Sequence, residues 1–242
     1  MVRVSDPAPR VRPIAFPVLV TELADRIHAA TGESGVTGAG SGRVRVAVDG
    51  ADAARPGELA DALVDPLRMR GHAVVRVSAE DHLRPASLRF ERGRDDPDSF
   101  YEDWLDAEGL RREVLDPLAP GGTGIVRPRR WDAAADRSHR DAGVRVPPGG
   151  VLVLSGPLLL GRGLPLDCVV HLAVSAAALA RRTPDDLRWT LPAYERYAEE
   201  VDPAAFADVV VRLDDPRHPA VVEPARAGHE PGEHDTPSTR KP

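Results

Sequence analysis

The chain has 242 residues, 42% of them hydrophobic and 29% charged, which suits one well-packed soluble domain with extensions. A formal net charge of -6 with no block of like charge argues against nucleic acid as a partner, and no apolar run approaches the roughly 18 residues that a membrane span requires. The single cysteine, Cys168, rules out an intrachain disulfide. The proline-interrupted N-terminus lacks a signal-peptide pattern, so a cytoplasmic location is expected.

In chain order, the first element is an amphipathic helix in Pro17 to Thr31, with Val18, Leu19, Leu23, Ile27 and Ala30 at helical spacing. The stretch "GESGVTGAGSGR" then reads as a flexible linker. A buried strand, "VRVAVD", begins at Val44 and leads through the loop "GADAARPGEL" into a helix from Pro56 to Arg70. "HAVVRVS" is a second strand, closed by the cluster "AEDH". Residues Asp98 to Leu118 are expected to be mainly helical. "GGVLVLSG" and "CVVHLAV" are strands three and four, followed by the helices "SAAALARR" and "LPAYERYAEEV" and by a fifth strand, "ADVVVRL". Strands alternating with helices imply an α/β fold: a three-layer arrangement with a parallel sheet of about five strands flanked by helices. The expected organisation is an N-terminal helix and Gly-rich linker over 1–42, a domain over 43–222 and a disordered tail over 223–242.

The loop after the first buried strand stands where a phosphate-binding loop stands in strand–loop–helix units. Such a loop has the form G-x-x-x-x-G-K-[ST], with backbone donors, a lysine and a hydroxyl converging on phosphate and magnesium. Aligned from Gly50, this chain has Arg55, Pro56 and Gly57 at the second glycine, the lysine and the hydroxyl. Arg55 carries a Cβ that disfavours positive φ, Pro56 has neither a donor nor a charge, and Gly57 cannot ligate a metal. Pro56 does suit the first position of a helix. The only lysine is Lys241, so no lysine elsewhere in the folded region replaces the missing one. His171 in its apolar strand reads as a hydrogen-bonded core histidine, Cys168 as a buried thiol, and Trp131 after "RPRR" as packed on a neighbouring arginine or as part of a site. The sequence holds no recognisable metal-ligand cluster.

Seven segments, in order, resemble the uridine kinase family of P-loop nucleoside kinases, in particular uridine-kinase-like proteins of high-GC (actinobacterial) bacteria. They are "VAVDGADAARPGELADAL", "VVRVSAEDHLRP", "GRDDPDSF", "RRWDAAADR", "GGVLVLSGPLLL", "ALARR" and "RYAEEVDPAAFADVVV". The resemblance implies a catalytic base at Glu80 or Asp81. It implies a ribose contact at Asp95, a base-stacking ring at Trp131 with Asp132 and Arg137 beside it, and Asp136 at a base-reading position. It also implies a metal-side position at Ser155 and lid arginines at Arg181, Arg182 and Arg188. The donor-side positions Arg55, Pro56, Gly57 and Ser155 depart from the family pattern, whereas the acceptor side is partly kept. Two readings follow. The first is a pseudokinase that binds a nucleoside-like small molecule or a protein partner without cofactor. The second is an active nucleoside kinase that uses ATP and Mg through a rebuilt donor site.

The tail is too polar to offset its ordering entropy by burial. Truncation after Val222 is expected to leave the melting temperature unchanged in a calorimetric scan; a clear drop would mean that the tail docks on the core.

Overall fold

The computed structural model describes residues 10–33 and 42–223, so most of the expected linker and all of the tail beyond Glu223 lie outside the described residues. One sheet organises the molecule. Its strands are β1 (Arg10–Pro13), β2 (Val44–Asp49), β3 (Val74–Ser78), β4 (Val151–Gly156), β5 (Cys168–Ala173), β6 (Val209–Arg212) and β7 (Ala220–Glu223). The spatial order is β1-β7-β6-β5-β2-β4-β3. Strands β2 to β6 run parallel, with Val46 opposite both Val153 and Cys168 at the centre. The five expected strands are therefore present, and the sheet is larger than expected by two antiparallel strands at one end, β7 and the edge strand β1. Each of these has only four residues, too short for a period-two pattern to stand out. The outermost, β1, carries Arg10 and Arg12, charges that discourage further strand addition.

Alternation along the strands builds two cores. Val44, Val46, Val48, Val151, Val153, Val170 and Leu172 face Leu19, Leu23 and Ile27 of helix α1 (Phe16–Glu33) and Leu59, Leu63 and Leu67. Those last three belong to α2 (Pro56–Ala62), its C-terminal boundary and α3 (Val64–Met69). On the opposite face, Ala47, Leu152, Leu154 and Val169 pack against Leu110, Val114, Leu115, Leu158 and Leu159. Helix α1 thus shares the core of the sheet, and β1 before it pairs with β7. Glu223 is the last residue of β7 and pairs with Arg12 at 3.0 Å, so the cut that tests the tail alone falls after Glu223.

The expected helical stretch from 98 to 118 is broken. It comprises α4 (Pro97–Glu102), a turn of helix at Ala107–Leu110, a π-helical turn at Arg111–Leu115 and a 3-10 turn at Asp116–Leu118. One capping aspartate opens the first helix and a second accounts for the break before Ala107. Asp96 Oδ1 accepts from Ser99 N at 2.6 Å, and Asp106 Oδ1 accepts from Gly109 N at 2.9 Å, so each starts a helix of its own. Further along, α5 (Ala176–Arg182) is capped by Ser175, and α6 (Leu191–Glu200) follows.

At the C-terminal end of β2, Asp49 is completely buried. Its carboxylate accepts from Leu159 N at 2.9 Å, from the Tyr197 hydroxyl at 3.1 Å and from His171 Nδ1 at 2.7 Å. The Tyr197 oxygen in turn accepts from Leu160 N at 3.0 Å. His171 is thus the hydrogen-bonded core histidine expected from its strand. Burial beside Asp49 raises the Tyr197 pKa, so the hydroxyl stays a donor. Tyr197→Phe would leave Leu160 N and one lobe of Asp49 short of a partner. A loss of about 1–3 kcal/mol is expected, measured by urea unfolding; an unchanged midpoint would mean that solvent or a shifted neighbour satisfies both groups.

Candidate functional site

The C-terminal ends of parallel strands, where such sheets receive ligands, here carry two adjoining cavities. The first is a polar cleft of about 540 Å³ between the loop after β2 and the ends of β3 and β4. The second is an aromatic cavity of about 370 Å³ walled by Phe100, Trp104, Leu83, Leu105 and Leu158. Asp52, Glu80 and Pro157 line both, which makes them the partition.

The loop that follows β2 joins the sheet to α2 at the edge of the polar cleft. Gly50 is required, since a Cβ there would lie 2.9 Å from the Leu172 Cβ on β5. Residues Asp52–Ala54 form a 3-10 turn, and Arg55 then adopts a left-handed conformation, φ 56 and ψ 56. The sequence argued against that conformation for a residue with a Cβ, and the chain adopts it nonetheless. Pro56 opens α2 at its first position, as expected. At the helix start, the Glu58 amide already donates to Arg55 O at 3.1 Å.

The electrostatics of the cleft run against an anion. Five carboxylates (Asp52, Glu58, Asp61, Glu80 and Asp81) face two guanidiniums, Arg55 and Arg76. Both guanidiniums are engaged: Arg55 with Glu58 at 3.1 Å and Arg76 with Asp61 at 2.8 Å. Arg76 also donates to Ser155 Oγ at 2.7 Å, to Val153 O at 3.1 Å and to Gly57 O at 3.4 Å. It therefore spans the space between Gly57 at the start of α2 and Ser155 at the end of β4. Burial lowers the Arg76 pKa, and Asp61 opposes that shift. Asp52 is pushed up to about 6, first by burial in the cleft and then by the charge of Glu80. Solvent reaching Asp52 through the mouth tempers the effect. Among the described residues, no group of three or more His, Cys, Asp or Glu side chains is arranged to hold a metal ion.

The residues singled out from the sequence fall into two groups. Gly50 starts the loop, and Arg55, Pro56, Gly57, Glu80, Asp81 and Ser155 converge on the polar cleft. The others do not join them. Asp95 is exposed and lines neither cavity, and the neighbouring Asp96 is the helix cap. Trp131 and Asp132 pair with Arg137 and Ser138 in a two-stranded hairpin. Trp131 Nε1 donates to Asp136 Oδ1 at 3.2 Å instead of the ring packing on an arginine. Asp136 Oδ1 also accepts from Ala86 N at 2.8 Å, and Asp132 Oδ1 accepts from the amides of Ala134 and Ala135. These side chains shape the hairpin, while its Ala133 and Ala134 reach the aromatic cavity. Arg182 donates to Ala53 O and, at 2.6 Å, to Leu213 O; Arg181 beside it is exposed, and Arg188 pairs with Asp185 at 3.0 Å. His82, next to the acidic pair, is fully buried with Nε2 3.0 Å from Pro128 O, and burial lowers its pKa.

Sequence reading overlooked Asp52, Arg76, Arg89, Phe100, Trp104 and Arg162. Two signals were available. Arg76 interrupts an otherwise apolar strand, "VVRVS", and Phe100 and Trp104 are spaced so as to share one side of a helical stretch.

The fold is shared with solved kinase structures. A possible uridine kinase from Bacillus stearothermophilus superposes with a TM-score of 0.58 at 22% identity, over 78% of this chain and 98% of that one. A D-glycerate 3-kinase from Cryptococcus neoformans superposes with a TM-score of 0.56 at 15% identity, over 82% and 94% of the two chains. No family model matches the chain, and no curated protein matches it significantly. The likeness at these identities is one of fold, a mixed α/β structure with a largely parallel central sheet between helices, and the function has to be read from the site.

The coupling between Asp52 and Glu80 is open to a direct test. Removing a like charge favours ionisation, so Glu80→Gln should lower the Asp52 midpoint from about 6 towards ordinary carboxylate values. Carboxyl-carbon NMR titration would read the shift; an unmoved midpoint would mean that burial acts alone.

Proposed function

We propose that this chain is a pseudokinase: a protein of nucleoside-kinase fold that binds a small hydroxylated ring compound in the aromatic cavity, acts in the cytoplasm and does not transfer phosphate from ATP·Mg. The observation that carries this reading is Arg76. Its guanidinium is held in the polar cleft by Asp61, Ser155 and Gly57. A triphosphate and its magnesium would need backbone donors, a free cation and a carboxylate facing the metal. The cleft offers Pro56 without a donor, Ser155 without a charge and two guanidiniums already paired. The residues present do not fit ATP·Mg. The aromatic cavity has a size and lining suited to a ring compound, with apolar walls and a few polar groups. Glu80 stands in the partition between the two cavities, in reach of a hydroxyl on such a ligand.

The competing reading, an active nucleoside kinase with Arg55 and the lid arginines in the lysine's role, meets two obstacles. Arg55 pairs with Glu58, and Arg182 is bonded to two backbone carbonyls.

Each charge-assisted hydrogen bond absent from a phosphate site forfeits about 1.5–3 kcal/mol. Calorimetry should therefore detect no ATP·Mg binding at submillimolar concentration, and uridine should not be phosphorylated. Turnover of uridine with ATP that Arg55→Ala abolishes would overturn the proposal. Restoration is also testable. Arg55→Gly, Pro56→Lys, Gly57→Thr and Ser155→Asp together should restore some nucleotide binding only when combined with Arg76→Leu, because an aspartate at position 155 would otherwise pair with Arg76.

A further inference from the structure

A buried guanidinium is costly unless a counter-charge satisfies it. Among the described residues, many arginines meet that condition on or near the surface, as Arg45 does with Asp167 at 2.7 Å and Arg70 with Asp25 at 2.6 Å. Two arginines of the aromatic cavity do not. Arg89 is only 5% exposed and Arg162 is part-buried, and both line this cavity. Among the described residues, neither has a carboxylate oxygen within 4.0 Å. Arg89 donates through Nε to Arg84 O at 2.8 Å and through Nη2 to Ala133 O at 3.4 Å, and its guanidinium stacks over Phe90 and Trp104. Arg162 donates through Nε to Leu158 O at 2.7 Å and through Nη2 to Tyr101 O. A guanidinium carries five N–H donors. In both residues Nη1 has no protein partner among the described residues. Burial lowers the pKa of both groups, the direction that an arriving anion would reverse. The carboxylates of the cavity, Asp52 and Glu80, lie on the side shared with the polar cleft.

We infer that the aromatic cavity takes an anionic ligand, a hydroxylated ring compound bearing a carboxylate or a phosphate, with its acid group against Arg89 and Arg162 and its hydroxyl towards Glu80. This rests on reading the aromatic cavity as the ligand site and adds the charge of the ligand. Phe100 and Trp104 supply the apolar surface for the ring, 5.2 Å apart between centroids and nearly perpendicular. Repulsion from Asp52 and Glu80 sets the orientation, because an acid group near that partition would meet like charge.

The test compares ligand pairs that share a ring and differ in the acid: ribose with ribose 5-phosphate, uridine with uridine 5′-monophosphate, and a cyclic polyhydroxy carboxylate with its methyl ester. Binding to the full chain would be measured by calorimetry, at low salt and again at about 0.5 M salt, where charge attraction is screened. The acid of each bound pair should bind at least about tenfold tighter than its neutral partner (a difference near 1.4 kcal/mol), and salt should shrink the difference. Arg162→Gln should abolish the preference, and Arg162→Lys should keep most of it. Should Arg162→Gln fail to fold, the wild-type pair comparison and its salt dependence decide the matter. Equal binding of acid and neutral partners would overturn the inference and leave the cavity standing as a ligand site. An acid preference that survives Arg162→Gln unchanged would overturn it as well. Binding of no member of the panel would overturn both the inference and the ligand-site reading. Phosphates binding without the carboxylate, or the reverse, would identify which acid the two arginines receive.

Discussion

The candidate site is anchored on the buried carboxylate of Asp49. An ionised group with no exposure is tolerated only where donors surround it, and here they come from three separate parts of the chain: Leu159 after β4, His171 on β5 and Tyr197 on α6. The three bonds fasten the end of β2 to its surroundings immediately before the loop begins. Gly50 then passes against Leu172 with no room for a Cβ. The loop consequently leaves the sheet from a fixed point and direction, and the cleft between it and β3 and β4 inherits that geometry.

Geometry and chemistry have parted company in that loop. The left-handed turn at Arg55 and the helix start at Pro56 set the path of the chain from β2 into α2. The side chains around it are mostly acidic, and its guanidiniums already have partners. Backbone shape can persist while electrostatic character inverts, because the shape is set by Asp49, Gly50 and the packing of α2, whereas the character is set by side chains that point into solvent-filled space. Arg76 illustrates the difference. It reaches the cleft from β3, two strands away from the strand that the loop follows.

The two cavities differ in how their charges are balanced, and that difference separates their roles. In the polar cleft the arginines are paired and carboxylates dominate. In the aromatic cavity the arginines lack carboxylate partners and rings dominate. Asp52 and Glu80 stand between the two, and the charge of Glu80 helps to raise the Asp52 pKa. A ligand seated in the aromatic cavity would meet this acidic partition on its way to the cleft, which fits binding better than it fits transfer of an anionic group.

Local regularities determined much of this protein from the sequence. The apolar strands, the helix from Pro17, the helix after β5, the proline at the head of α2 and the altered loop residues are legible because each depends on neighbours a few positions away. The two antiparallel strands escaped because four residues carry too little pattern, and the break before Ala107 because the capping Asp106 outweighed helical periodicity. Trp131 was the aromatic residue suggested by resemblance, but the rings that meet at the cavity are Phe100 and Trp104. Tertiary structure alone decided which polar groups converge. Arg76 meets Ser155 across 79 residues, and Asp49 meets Tyr197 across 148, and no local preference encodes either contact. A site is made by side chains that sheet order and helix packing carry to one place, and those are set by the burial of the whole core.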